Sequence, residues 1–293
     1  MWPLGFWLPA TYTSSSAPAA ALFCILSKVG IYALVRVWMV VFDDGPGANL
    51  LAYGGMATLV FGMVGMLASQ DLGRIASFSL VVSSGTLLAT IGVGGPQAVA
   101  PALFYLLTST LGTAALFLLV ELIERSRAPG ANLLAVTAEA FRVDDEDDSG
   151  LDEPVGLAIP STMAVLGIAF AFATLLIAGL PPLPGFVAKF SIIATVLAPA
   201  DVPDRAWVLF GLLTVSGLAA VIALVRAGVR VFWADADRIS PRVRLIEILP
   251  VGGLIATCLA LTVFAGPVMN YLQAAGAALH RPDTYIRNVL PTP

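Results

Sequence analysis

The chain has 293 residues, 58% of them apolar and 12% charged, about half the roughly 25% charge of an average soluble domain. A mean hydropathy of +0.91, two cysteines and a net charge of −4 exclude a disordered chain, a disulfide scaffold and a nucleic-acid binder. The basic side is thirteen arginines and only two lysines, Lys28 and Lys189, and both lysines sit inside apolar runs.

A bilayer core of about 30 Å needs about 20 apolar residues as a helix, so apolar runs are counted first. Eight spans are predicted, over 17–42, 50–69, 74–93, 98–123, 157–179, 183–199, 206–233 and 246–272. The predicted organisation is an interfacial N-terminal segment (1–16), four membrane helices (17–123), an acidic extramembrane loop (124–156), four more helices (157–272) and a polar tail (273–293). Met1–Ser16 lacks the positive region of a secretory signal, and its Trp2-Pro3 and Leu8-Pro9 pairs argue for extended chain, with Trp2, Trp7 and Tyr12 at headgroup level.

Span one places Lys28 near its middle, too deep to snorkel. A charged lysine at the centre of a spanning helix costs about 2.5–3.5 kcal/mol, so it must face a partner or a hydrated cavity, where desolvation lets the amine exchange a proton. Ser27 and Gly30 beside it mark a place for the helix to break. Spans three and four carry Ser83, Ser84, Thr86, Thr108, Ser109, Thr110 and Thr113, which read either as helix-packing residues or as the lining of a water wire. Glu121 reads equally as an inward proton acceptor and as a marker of the membrane interface.

The loop run Asp144-Asp145-Glu146-Asp147-Asp148 reads as a solvated, self-repelling segment or as an antenna for cations or a basic partner. Between spans five and six, Gly179-Leu180-Pro181-Pro182-Leu183-Pro184-Gly185 interrupts the helix just ahead of Lys189, because proline removes backbone donors. Two interrupted hydrophobic segments in corresponding positions point to a transporter built from repeats. Arg226 and Arg230, one turn apart, read as snorkelling from the end of span seven. Cys24 and Cys258 read as buried thiols, and His280 as solvated. The chain offers no His/Cys cluster for haem, zinc or iron-sulfur and no phosphate-binding Gly-rich motif, so no cofactor is expected.

Several of these motifs occur in a recognisable order. Pro3-Leu4-Gly5-Phe6-Trp7-Leu8-Pro9, Ser27-Lys28-Val29-Gly30-Ile31-Tyr32-Ala33-Leu34-Val35-Arg36, Gln70-Asp71-Leu72-Gly73-Arg74-Ile75-Ala76-Ser77-Phe78-Ser79, Leu103-Phe104-Tyr105-Leu106-Leu107 and Gly179 through Phe190 resemble the proton-translocating antiporter domain shared by respiratory complex I and multisubunit cation/proton antiporters. The acidic loop followed by Val155-Gly156-Leu157-Ala158-Ile159-Pro160 is similar to the D subunit of the Mrp-type sodium/proton antiporter.

The resemblance implies an all-α polytopic membrane bundle: one complete five-helix antiporter repeat, two helices of a preceding repeat and one C-terminal helix. It implies proton relay by Lys28, on a broken helix, and by Lys189, its counterpart in the inverted repeat, with Glu121, Thr108 and Ser109 as secondary relay candidates. It also implies exchange of protons for Na+ without bond chemistry, a bacterial inner membrane, and other antiporter subunits and lipid as partners, with no nucleic acid. A proton-pumping subunit of a quinone-linked dehydrogenase or hydrogenase is the alternative, and a non-transporting assembly or remnant protein the second. Such relatives have fourteen spans, so the chain reads as a truncated, split or mis-started subunit beginning at their seventh. They carry histidine where Gly5 and Thr108 or Ser109 stand, and often a basic residue at Gly73.

Overall fold

The computed structural model describes residues 5–42, 47–124, 161–232 and 245–279, and these are helical apart from short turns. The acidic loop, Trp2 and His280 lie outside the described residues. In chain order the helices are α1 (Leu8–Ser14), α2 (Ala17–Phe42), α3 (Ala48–Ala68), α4 (Leu72–Gly94), α5 (Val99–Glu124), α6 (Ser161–Ala178), α7 (Pro184–Val196), α8 (Asp204–Phe232), α9 (Leu245–Val263) and α10 (Ala265–Leu279). The fold is an all-α membrane bundle. Among the described residues, five continuous helical stretches are long and apolar enough to cross a bilayer. One of them, Leu72–Glu124, is α4 and α5 joined by a 3-10 turn at Gly95–Ala98, where Gly95 takes a positive φ of 56°. α4 alone rises about 35 Å, a full crossing. α6 and α7 are shorter apolar helices that meet at the Gly179–Leu183 turn.

Three features depart from the sequence reading. Residues 8–14 form a helix rather than extended chain, because Pro9 falls in the first turn, where its missing N–H costs nothing. Tyr12 is buried at 5% exposure against its neighbouring helices, whereas Trp7 is exposed. The run 246–272 is two helices split at Phe264. Pro267 explains the split, since it has no N–H for the Val263 carbonyl four residues back and its ring crowds that oxygen. The second of these helices also runs to Leu279, through the first residues of the expected polar tail.

α3 and α4 form an antiparallel pair around a turn capped by Asp71, whose carboxylate accepts from the Arg74 backbone N–H. They meet backbone to backbone along Gly55 and Gly62 on α3 and Gly85 and Gly92 on α4, each pair seven residues apart on one face. α5 lies centrally, touching α2, α4, α6, α7, α9 and α10. The buried core falls into two larger apolar clusters and one small one.

Candidate functional site

Lys28 is 1% exposed, among the largest of the fully buried side chains. The sequence reading places it at a helix break, but α2 runs unbroken through it. No proline follows Pro18 in this helix, and an isolated glycine costs only about 1 kcal/mol relative to alanine, too little to break a long apolar helix. α2 instead turns the lysine inward. Its Nζ donates to the Ser83 hydroxyl of α4 at 2.5 Å, and Ser83 donates in turn to the Leu80 carbonyl at 2.8 Å.

Lys189 is 9% exposed, on the second turn of α7. α6 ends in mid-bundle, where Gly179 takes φ 75° and the Gly179 and Leu180 N–H groups both donate to the Leu175 carbonyl, a left-handed helix cap. The last carbonyl of α6, Ala178, accepts from Lys189 Nζ at 2.7 Å. A cation at a helix C-terminus satisfies an orphan carbonyl and complements the negative end of the helix dipole. The lysine lies in a slot bounded by Gly179 and Gly217: a Cβ on Gly179 would stand 2.6 Å from its Cδ, and one on Gly217 3.5 Å from its Nζ.

A cavity of about 20 Å³ lies beside Lys189 and reaches Ser83, the partner of Lys28. Ser83, which holds Lys28, lines it together with Thr108, Ser109, Thr113, Ser216 and Lys189 itself. That volume accepts about one water, which needs roughly 10–15 Å³. Each of the five hydroxyls donates to a carbonyl of its own helix, at 2.8 to 3.2 Å, so each presents an acceptor oxygen to the cavity. The arrangement suits water, an ammonium or a proton in transit.

Of the residues picked from sequence, the structure thus brings together Lys189, Thr108 and Ser109, and Lys28 through Ser83. Glu121 does not line this cavity; it is half-buried about 20 Å of helix rise beyond Thr108. Ser216 was not among the candidates, and a lone serine on an apolar helix gives no signal that it faces a cavity. The structure also shows Arg226 doing more than snorkelling: it donates to the Leu67 and Ser69 carbonyls at 2.6 and 2.7 Å, closing the C-terminus of α3. Cys24 and Cys258 are buried free thiols. Among the described residues no group of three His, Cys, Asp or Glu is placed to hold a metal.

Comparison with known proteins agrees with this architecture. The probable K(+)/H(+) antiporter D subunit of Rhizobium meliloti is 48% identical over all of this chain and 56% of its own length. The Na(+)/H(+) antiporter D subunit of Bacillus subtilis is 29% identical over 99% of the chain and 55% of its length. A chain in the structure of the Mrp complex from Dietzia sp. superposes with a TM-score of 0.76 at 22% identity, over 99% of this chain and 58% of that one, and shares the fold. This chain therefore spans about half the length of the curated relatives it matches. Residues 1–215 match the family described as NADH:quinone oxidoreductase/Mrp antiporter, TM, so the chain is a multi-pass membrane protein and belongs to that family.

Proposed function

We propose that this chain carries the lysine-bearing part of a subunit of a multisubunit monovalent cation/proton antiporter in a bacterial inner membrane, working beside other antiporter subunits. Lys28 and Lys189 take up and release protons, and Ser83, Thr108 and Ser109 with the water of the central cavity link them. The observation that supports this reading is that Ser83, bonded to Lys28, and Lys189 line one small cavity floored with acceptor oxygens. Neither lysine is a cation ligand, since alkali ions prefer oxygen, so the lysines carry the proton and not the exchanged cation.

The names of the relatives divide between K+ and Na+, so both ions belong in the assay. Proton flux driven by a K+ or a Na+ gradient is measured in vesicles carrying the whole assembly. Lys189→Ala is expected to abolish it, and undiminished flux would remove this lysine from the pathway. The family description also names NADH:quinone oxidoreductase, which supports a second reading as a proton-pumping subunit. Copurification decides between them: redox subunits would carry the second reading, antiporter subunits the first.

A further inference from the structure

A second cavity, of about 200 Å³, lies between residues 5–8, α2, α3 and α4, and Gly5, Ser27, Thr58, Phe61 and Ser84 line it. Several waters fit that volume, given roughly 10–15 Å³ for one, and three hydroxyls offer them partners. Its position relative to the lysine pathway is specific. Ser27 and Ser84 are the chain neighbours of Lys28 and Ser83, and successive helix residues point about 100° apart. Ser84 thus faces this cavity while Ser83 faces the central one, with the Lys28–Ser83 bond between them.

Tyr12 of α1 fastens the wall of this cavity. It reaches α2 one turn before Lys28, donating to the Phe23 carbonyl at 3.0 Å and sharing a 2.5 Å hydrogen bond with the Ser27 hydroxyl. With the tyrosine proton on Phe23, Ser27 is the donor to Tyr12 and keeps its oxygen for the cavity. The Tyr12 ring is stacked on Phe117 of α5, with centroids 5.7 Å apart, which fixes it from the far side. A tyrosine free to choose would place its hydroxyl at the membrane surface.

We propose that the Tyr12–Ser27 pair is a latch that sets how far water in the second cavity reaches Lys28, making Tyr12 a positioning residue for that lysine. The proposal rests on the reading of Lys28 as a proton carrier. Its test reads water access directly. In the complete assembly, Cys24 and Cys258 are replaced by alanine and single reporters are introduced: Ser84→Cys in the cavity wall, Lys28→Cys at the lysine, and Ala89→Cys at a fully buried control site. The rate of labelling by a hydrophilic thiol reagent, which needs hydrated thiolate, is then measured.

Tyr12→Phe keeps the stacking and removes both hydrogen bonds. Labelling is expected to rise about tenfold at Ser84→Cys and at Lys28→Cys, with no change at Ala89→Cys. Ser27→Ala is expected to act in the same direction, Ser27→Thr to match the parent, and Tyr12→Phe with Ser27→Ala to add nothing beyond Tyr12→Phe alone. Unchanged labelling at Ser84→Cys, or an equal rise at Ala89→Cys from general loosening, overturns the latch. Labelling is read without transport, so an assembly with Lys28 intact and the Ser84→Cys reporter that shows this pattern and carries no ion flux sinks the antiport reading and leaves the latch standing.

Discussion

Lys28 and Lys189 are held by neutral oxygens, a hydroxyl and a helix-terminal carbonyl, and this decides what their removal does. Lys28→Met deletes a costly buried amine and fills the space with an unbranched chain, so thermal unfolding in detergent is expected at or above the parent temperature while proton flux is lost. Ser83→Ala leaves the amine without its acceptor and is expected to lower stability by about 1–3 kcal/mol, with Ser83→Thr nearer the parent. The lysines were legible in the sequence because a charge amid apolar residues has few explanations. Their partners were not. Ser83 reads the same whether it packs or receives a proton, and the Ala178 carbonyl has no side-chain signature at all. Tyr12 carries no sequence sign of its partner, and only the fold shows Ser27 within its reach.

Among the elements, the Gly179–Pro184 interruption was legible, whereas the break at Pro267 and the continuity of α2 through Gly30 were not. Gly179 through Pro184 ends α6 and starts α7 as expected, whereas Gly30 leaves α2 whole. Pro267 divides the last apolar run, which hydropathy alone cannot detect. Glycine matters here for contact. A Cβ on Gly85 would stand 2.5 Å from the Leu59 backbone nitrogen, while one on Gly30 meets nothing within 4 Å. The same substitution is therefore expected to act with opposite sign. Gly85→Ala wedges α3 from α4 and lowers stability by about 1–3 kcal/mol, as overpacking does. Gly30→Ala raises it by about 0.5–1 kcal/mol through helix propensity. Thermal unfolding of the two variants side by side checks this.

For the whole molecule, α8 runs parallel to α3 and is tied to it near both ends. Arg205 donates to the Asn49 side-chain oxygen at 2.6 Å, and Arg226 closes the far end of α3 with Arg230 on Gln70 at 3.1 Å. Arg226→Ala is expected to cost about 0.3–1 kcal/mol, the range for a cation at an exposed helix terminus, and to raise hydrogen exchange in the last turn of α3. These ties escaped the sequence because each joins residues more than 150 positions apart, a separation at which one sequence carries no pairing signal. The two arginines stand 21 residues apart on α8, about 31 Å of rise, which matches the hydrocarbon depth of a bilayer. α3 and α8 thus make a strut of fixed length. A membrane a few ångströms thicker or thinner cannot be met by sliding one helix along the other, so the strut must tilt as a body or the lipid must deform around it, at a fraction of a kcal/mol per ångström of mismatch.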